Sequence, residues 1–125
     1  MALPGDQIIK SIIDGDTKEM VITAKKLGKH LKQAGLTTSQ IRNVFGSVKK
    51  MEMKGFEERE LLLLKPKLAY AASRPGSSKG TNELRKVLSS AIDFVGNNEE
   101  KFENFCNFFE AILSYFRAAE KKIIR

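Results

Sequence analysis

What this chain has least of is reactive side chains: one cysteine and one histidine in 125 residues. A lone cysteine forms no internal disulfide, which points to a reducing compartment. The lone histidine, His30, has no cysteine or second histidine beside it, whereas a metal site needs several converging ligands. Apolar runs are short, none above about five residues against the roughly 20 needed to cross a bilayer. The opening stretch from Met1 to Asp6 has no basic segment followed by an apolar run, so no signal peptide is expected. A soluble, cytoplasmic protein is the expectation.

Catalytic groupings are missing too. No paired carboxylates, Ser–His–Asp set or Cys–His set stands out. Glu57, Glu58 and Glu60 read as an acidic cluster at a helix start, and Asp14 and Asp16 as turn and cap residues. The stretch Gly76 to Thr81 superficially resembles a phosphate loop. It lacks the G-x-x-x-x-G-K-[ST] spacing and no strand precedes it, so nucleotide binding is dismissed. Neither an enzymatic activity nor a cofactor is expected.

Positive charge is what the chain has in excess: 22 Lys and Arg against 15 acids, a net +7. Residues 1–55 carry 10 basic and 5 acidic groups, residues 56–80 carry 5 and 3, and residues 81–125 carry 7 and 7. The positive field thus lies in the first two thirds, as a polyanion-binding face requires. Soluble proteins without such a partner also carry net positive charge.

With three prolines, few β-branched runs and abundant Lys, Glu, Leu and Ala, the chain reads as all-α, one domain over residues 1–125. A compact bundle of five or six helices is expected. Ile8, Ile9, Ile12 and Ile13 make one stripe of a short first helix, ended by Asp14, Gly15 and Asp16. Asp16 with Glu19 reads as a capping box for the second, whose inward face is Met20, Ala24, Leu27 and Leu31, with Gly35 as its C-terminal cap. Thr37 and Gln40 form the next capping box, stapled by Leu36 and Ile41. Ile41, Val44, Phe45 and Val48 then face inward, while Arg42, Gly46, Lys49, Lys50 and Met53 face out. Arg42 and Lys49 stand about 10 Å apart by helical rise, with Gly46 clearing bulk between them. That pattern suits consecutive phosphates, and a solvated face equally.

The run from Leu61 to Arg74 ties the chain together. Pro66 predicts a helix to about Leu64, a bend, and a second segment beyond. Lys67, Tyr70, Ala71 and Arg74 share one face of that segment, a basic-aromatic-basic stripe on small-residue backing. A kinked core helix with solvated lysines fits the same residues. After the Pro75–Gly80 loop, a helix starts at Thr81 or Asn82, with Leu84, Val87, Leu88, Ala91, Ile92 and Val95 inward. Asn97 with Glu100 is expected to cap the last helix, whose core stripe is Phe102, Phe105, Phe109, Ile112, Leu113 and Phe116. Phe108 and Tyr115 widen this face beyond what one partner helix covers. They read either as further core or as a contact with another chain, and the contact is the expectation. Cys106 reads as a small buried hydrophobe.

Three stretches together carry a family resemblance: Leu36-Thr-Thr-Ser-Gln-Ile-Arg-Asn-Val-Phe45, the Leu61-Leu-Leu-Leu-Lys-Pro-Lys-Leu-Ala-Tyr-Ala-Ala-Ser-Arg74 run, and Phe105-Cys-Asn-Phe-Phe-Glu-Ala-Ile-Leu-Ser-Tyr-Phe116. In order and spacing they resemble the small subunit of type III-A CRISPR–Cas effector complexes, the Csm-complex small subunit. One departure is Ser73, where the family pattern leads one to expect glycine. The resemblance implies a compact helical bundle whose copies stack head to tail along guide RNA and target RNA, beside larger subunits that cut the target. Carried over by position, it implies RNA contacts at Arg42, Lys49, Lys50, Lys65, Lys67 and Arg74. Contacts of this kind hold register without reading sequence.

Two other readings stand beside it. A helix-turn-helix DNA-binding protein would place Thr38, Ser39 and Arg42 at the tip of a recognition helix. A helical scaffold binding only protein would carry its basic surface for solubility.

Overall fold

The computed structural model describes residues 2–124. Six helices follow in order: α1 (Asp6–Ile13), α2 (Thr17–Gln33), α3 (Thr38–Lys54), α4 (Glu58–Ser73), α5 (Lys79–Val95) and α6 (Glu99–Glu120). No strand occurs among the described residues, so the expected all-α bundle is the fold.

The most apolar helix is the axis of the bundle. Helix α6 packs against α1, α2, α3 and α5, and this surround explains the width of its apolar face. Phe102, Phe105, Phe108, Phe109, Ile112 and Phe116 are all buried. Phe45 meets Phe109 edge-to-face at 5.3 Å, and Phe56 stacks on Phe102 at 4.7 Å. The expected contact of Phe108 with another chain is therefore corrected. Phe108 is 0% exposed within the chain itself, and Tyr115 is half-buried. Counting one partner helix for α6 underestimated its neighbours.

Helix α2 makes the most extensive contact with α6, at near-backbone distance. A Cβ placed on Gly28 would lie 2.6 Å from the Phe116 amide nitrogen and 2.8 Å from the Tyr115 Cβ. Ala24, Leu27 and Leu31 are fully buried on the same face. The turn that follows is locally encoded. Gly35 has φ +92°; its N–H donates to the Lys32 carbonyl at 3.2 Å and the Leu36 N–H to the Leu31 carbonyl at 3.1 Å. These two bonds are a Schellman ending. Both halves of the Thr37–Gln40 capping box then form, at 3.2 and 3.0 Å, and the Leu36–Ile41 staple is buried. Gly80 opens α5 against this corner: its N–H donates to the Ala34 carbonyl at 3.0 Å. A Cβ there would meet the Leu36 nitrogen at 2.8 Å.

Several local expectations differ from the structure. The Asp16 box is half formed: Asp16 accepts from the Glu19 N–H at 3.0 Å, while the Glu19 carboxylate accepts from the Thr23 hydroxyl instead. Ser78 caps α5, three or four residues ahead of the expected start, and Asn98 rather than Asn97 caps α6. Helix α4 runs unbroken through Pro66. Leu61 and Leu64 before the proline and Leu68 after it are buried on one stripe, and that burial outweighs one missing hydrogen bond. Pro66 and Leu62, whose carbonyl loses its partner, both lie on the exposed side, open to solvent. Helix α4 rests on α3 and α5, outside the layer formed around α6.

Gly28 gives a test of sign. Helix propensity alone favours Gly28→Ala by about 1 kcal/mol, whereas the approach of α6 makes the added methyl a clash. Gly28→Ala is expected to lower the thermal midpoint and Gly28→Val to lower it further, overpacking costing about 1–3 kcal/mol or more. A raised midpoint for the alanine variant contradicts the close crossing. Phe108→Ala and Phe109→Ala are each expected to cost about 3–5 kcal/mol in denaturant titration; an unaltered Phe108 variant contradicts its place in the core.

Candidate nucleic-acid interface

Because α4 lies on the outside, a groove runs between it and antiparallel α3. Its α3 wall carries Asn43, Ser47, Lys50 and Lys54, positions spaced by four, three and four residues, one stripe of a helix. Its α4 wall carries Lys67, Tyr70, Ala71 and Arg74, the face expected from their spacing. The middle of the groove encloses about 540 Å³, with Val44, Leu64 and Leu68 as its floor. Pro75, Gly76 and Ser77 close the Arg74 end. Helix α4 ends at Ser73, and Arg74 leaves it in an extended conformation, φ −68° and ψ 146°. The expected glycine is not needed there: Ser73 is helical, and its hydroxyl donates to the Tyr70 carbonyl at 2.9 Å.

The six carried-over cations divide. Lys50, Lys67 and Arg74 line the groove. Their side chains, and that of Lys54, have no ion-pair or hydrogen-bond partner among the described residues and are exposed. Lys49 is engaged elsewhere: it donates to Glu52 at 3.0 Å and lies 5.9 Å from the Phe45 ring centroid. The Glu52 hydrogen bond raises its pKa from the ordinary lysine value. Lys65 is half-buried and paired with Asp93 of α5. Arg42 is exposed outside the groove lining, and Gly46 is an open patch with nothing within 4 Å of a built Cβ. The structure thus brings together three of the six and adds Lys54, Asn43 and Ser47, which the sequence reading passed over. Their shared spacing was the available signal. The far end of the groove is electrostatically mixed, since Glu57 and Glu60 stand beside Lys50, Lys54 and Lys67. The Arg74 end carries no acid among its lining residues.

The residues with reactive chemistry are held in structural roles. Cys106 is buried, and burial pushes its thiol up to about 12, which leaves essentially no thiolate near neutrality. His30 Nε2 lies 2.9 Å from Glu83 Oε1, a largely buried bridge from α2 to α5. Among the described residues, no group of three or more His, Cys, Asp or Glu is placed to hold a metal. No helix among them is long and apolar enough to cross a membrane.

Of the helix-turn-helix tip, Ser39 and Arg42 are exposed and Thr38 is engaged. Thr38 donates to Glu120 of α6 at 2.6 Å, and Gln40 is taken up by the capping box and by Thr81 of α5 at 3.4 Å. A recognition helix presents its whole first turn to base edges; here Thr38 and Gln40 are tied to α6 and α5 instead. Helix α2 correspondingly lies along α6.

No curated protein and no solved structure gives a significant match. A family model described as Csm2 Type III-A matches residues 14–122, a span that includes all six helices except α1. It also takes in the three stretches whose order and spacing carried the resemblance. The chain therefore belongs to the Csm2 Type III-A family and is a small subunit of the type III-A CRISPR–Cas effector complex.

Proposed function

We propose that this subunit is non-catalytic and holds the phosphate backbone of guide or target RNA in the α3–α4 groove, chiefly through Lys67 and Arg74 with Lys50 and Lys54. The carrying observation is that these four cations face one groove without partners, whereas Lys49 and Lys65 are engaged by Glu52 and Asp93. Unpaired cations are attracted to phosphate without first breaking a protein ion pair, and they release counterions from the strand. The concentration of positive charge in the first two thirds of the chain supports the same reading. A non-catalytic role is supported by the burial of Cys106 and the Glu83 bridge to His30. The partners would be the two RNA strands, further copies of this chain and the larger subunits of the complex, in the cytoplasm. One copy offers few contacts, so affinity would come from several copies acting on one strand.

Filter-binding titrations at several salt concentrations test this. Binding of RNA is expected to fall with a log–log slope of about −0.7 per phosphate neutralised on a single strand. Lys67→Ala with Arg74→Ala should weaken binding across unrelated sequences and make the slope shallower by about one to two units. Arg42→Ala with Lys49→Ala should have the smaller effect, because neither residue lines the groove. The reverse ranking moves the interface to the Gly46 face, and no loss with either pair contradicts RNA contact by this surface.

A further inference from the structure

We propose that Tyr70 is a stacking platform for an unpaired RNA base, so that the α3–α4 groove accepts a single-stranded or bulged nucleotide in preference to continuous duplex. This rests on the reading that the groove holds RNA phosphates, and it names the form of RNA that fits.

Tyr70 is 69% exposed, while every other aromatic ring of the chain is buried or half-buried. Lys67 and Arg74 bracket it at three residues before and four residues after, and all three line the same groove. The two cations stand about 10 Å apart by helical rise, so one strand spanning them passes a nucleotide over the ring. A duplex turns its bases inward and offers only sugar and phosphate there. An unpaired base offers its π-face, which stacks on an aromatic ring without regard to sequence. Across the groove, the Asn43 amide and the Ser47 hydroxyl have no hydrogen-bond partner among the described residues. They are placed to meet a base edge or a ribose 2′-hydroxyl. Small Ala71 beside the ring leaves room for the approach.

An exposed tyrosine also suits a protein contact. Yet the exposed apolar residues nearest in sequence, Leu62 and Leu63, are not among those lining this groove. Tyr70 instead faces unpaired cations and polar groups, which favours a nucleic-acid strand.

The test measures binding of the full chain to one single-stranded RNA, the same RNA annealed to its complement, and the same RNA with abasic positions. Tyr70→Ala is expected to weaken binding to the single strand about tenfold or more, with the salt slope unchanged and duplex binding little altered. Tyr70→Phe should keep parental affinity, and the abasic strand should bind the parent and Tyr70→Ala alike. Circular dichroism should match the parent for both variants, since the ring is outside the core. Parental single-strand binding by Tyr70→Ala, with Lys67→Ala and Arg74→Ala still weakening it, overturns the stacking platform and leaves the phosphate track. An equal loss on single strand and duplex overturns the preference for unpaired bases. Failure of both sets to alter RNA binding removes the groove reading altogether. Loss of complex assembly by Tyr70→Ala, with RNA binding intact, assigns the ring to a protein contact instead.

Discussion

The crossing of α2 over α6 at Gly28 is the constraint on which the rest of the arrangement depends. With a would-be Cβ only 2.6 Å from the Phe116 nitrogen, the two backbones approach as closely as side-chain-free packing permits. That approach lets Ala24, Leu27 and Leu31 bury completely along the helix whose other sides are covered by α1, α3 and α5. A helix with five phenylalanines on one wide face is stable in water only when that face is enclosed in this way. The enclosure uses up four helices as walls, and α4 is left as an outer element resting on two of them.

The proposed RNA-binding surface follows from this division. A helix anchored by a narrow stripe, Leu61, Leu64 and Leu68, keeps the rest of its circumference free. Lys65 pairs with Asp93 on the α5 side, and Lys67, Tyr70 and Arg74 turn towards α3. Burial at one face and an ion pair at its flank fix the rotation of α4 about its axis. The backbone of the groove is therefore set without a ligand, which would lower the entropic cost of the proposed binding.

How far this could be read from the residues depended on the range of the interaction. The Thr37–Gln40 box, the Gly35 ending and the shared face of Lys67, Tyr70, Ala71 and Arg74 involve residues within a few positions of each other, and local geometry decides them. Phe108 was misjudged because its environment is set by distant helices. The engagement of Lys65 depends on a residue 28 positions away and the His30–Glu83 bridge on one 53 positions away. The Lys49–Glu52 pair lies within three residues and was open to a local reading. Gly28 carries no mark of its own in the sequence; only the partner backbone gives it meaning. At Pro66 the local rule was sound and tertiary burial overrode it.

The same proline shapes the mechanics of the groove. Its missing N–H leaves the hydrogen-bond ladder of α4 one rung short, between the part carrying Leu61 and Leu64 and the part carrying Lys67, Tyr70 and Arg74. A helix flexes most readily at such a point. Under the proposed strand binding, Pro66 would be where α4 yields first, away from the Gly28 crossing and the aromatic axis, while Leu68 keeps the segment beyond it seated on the core.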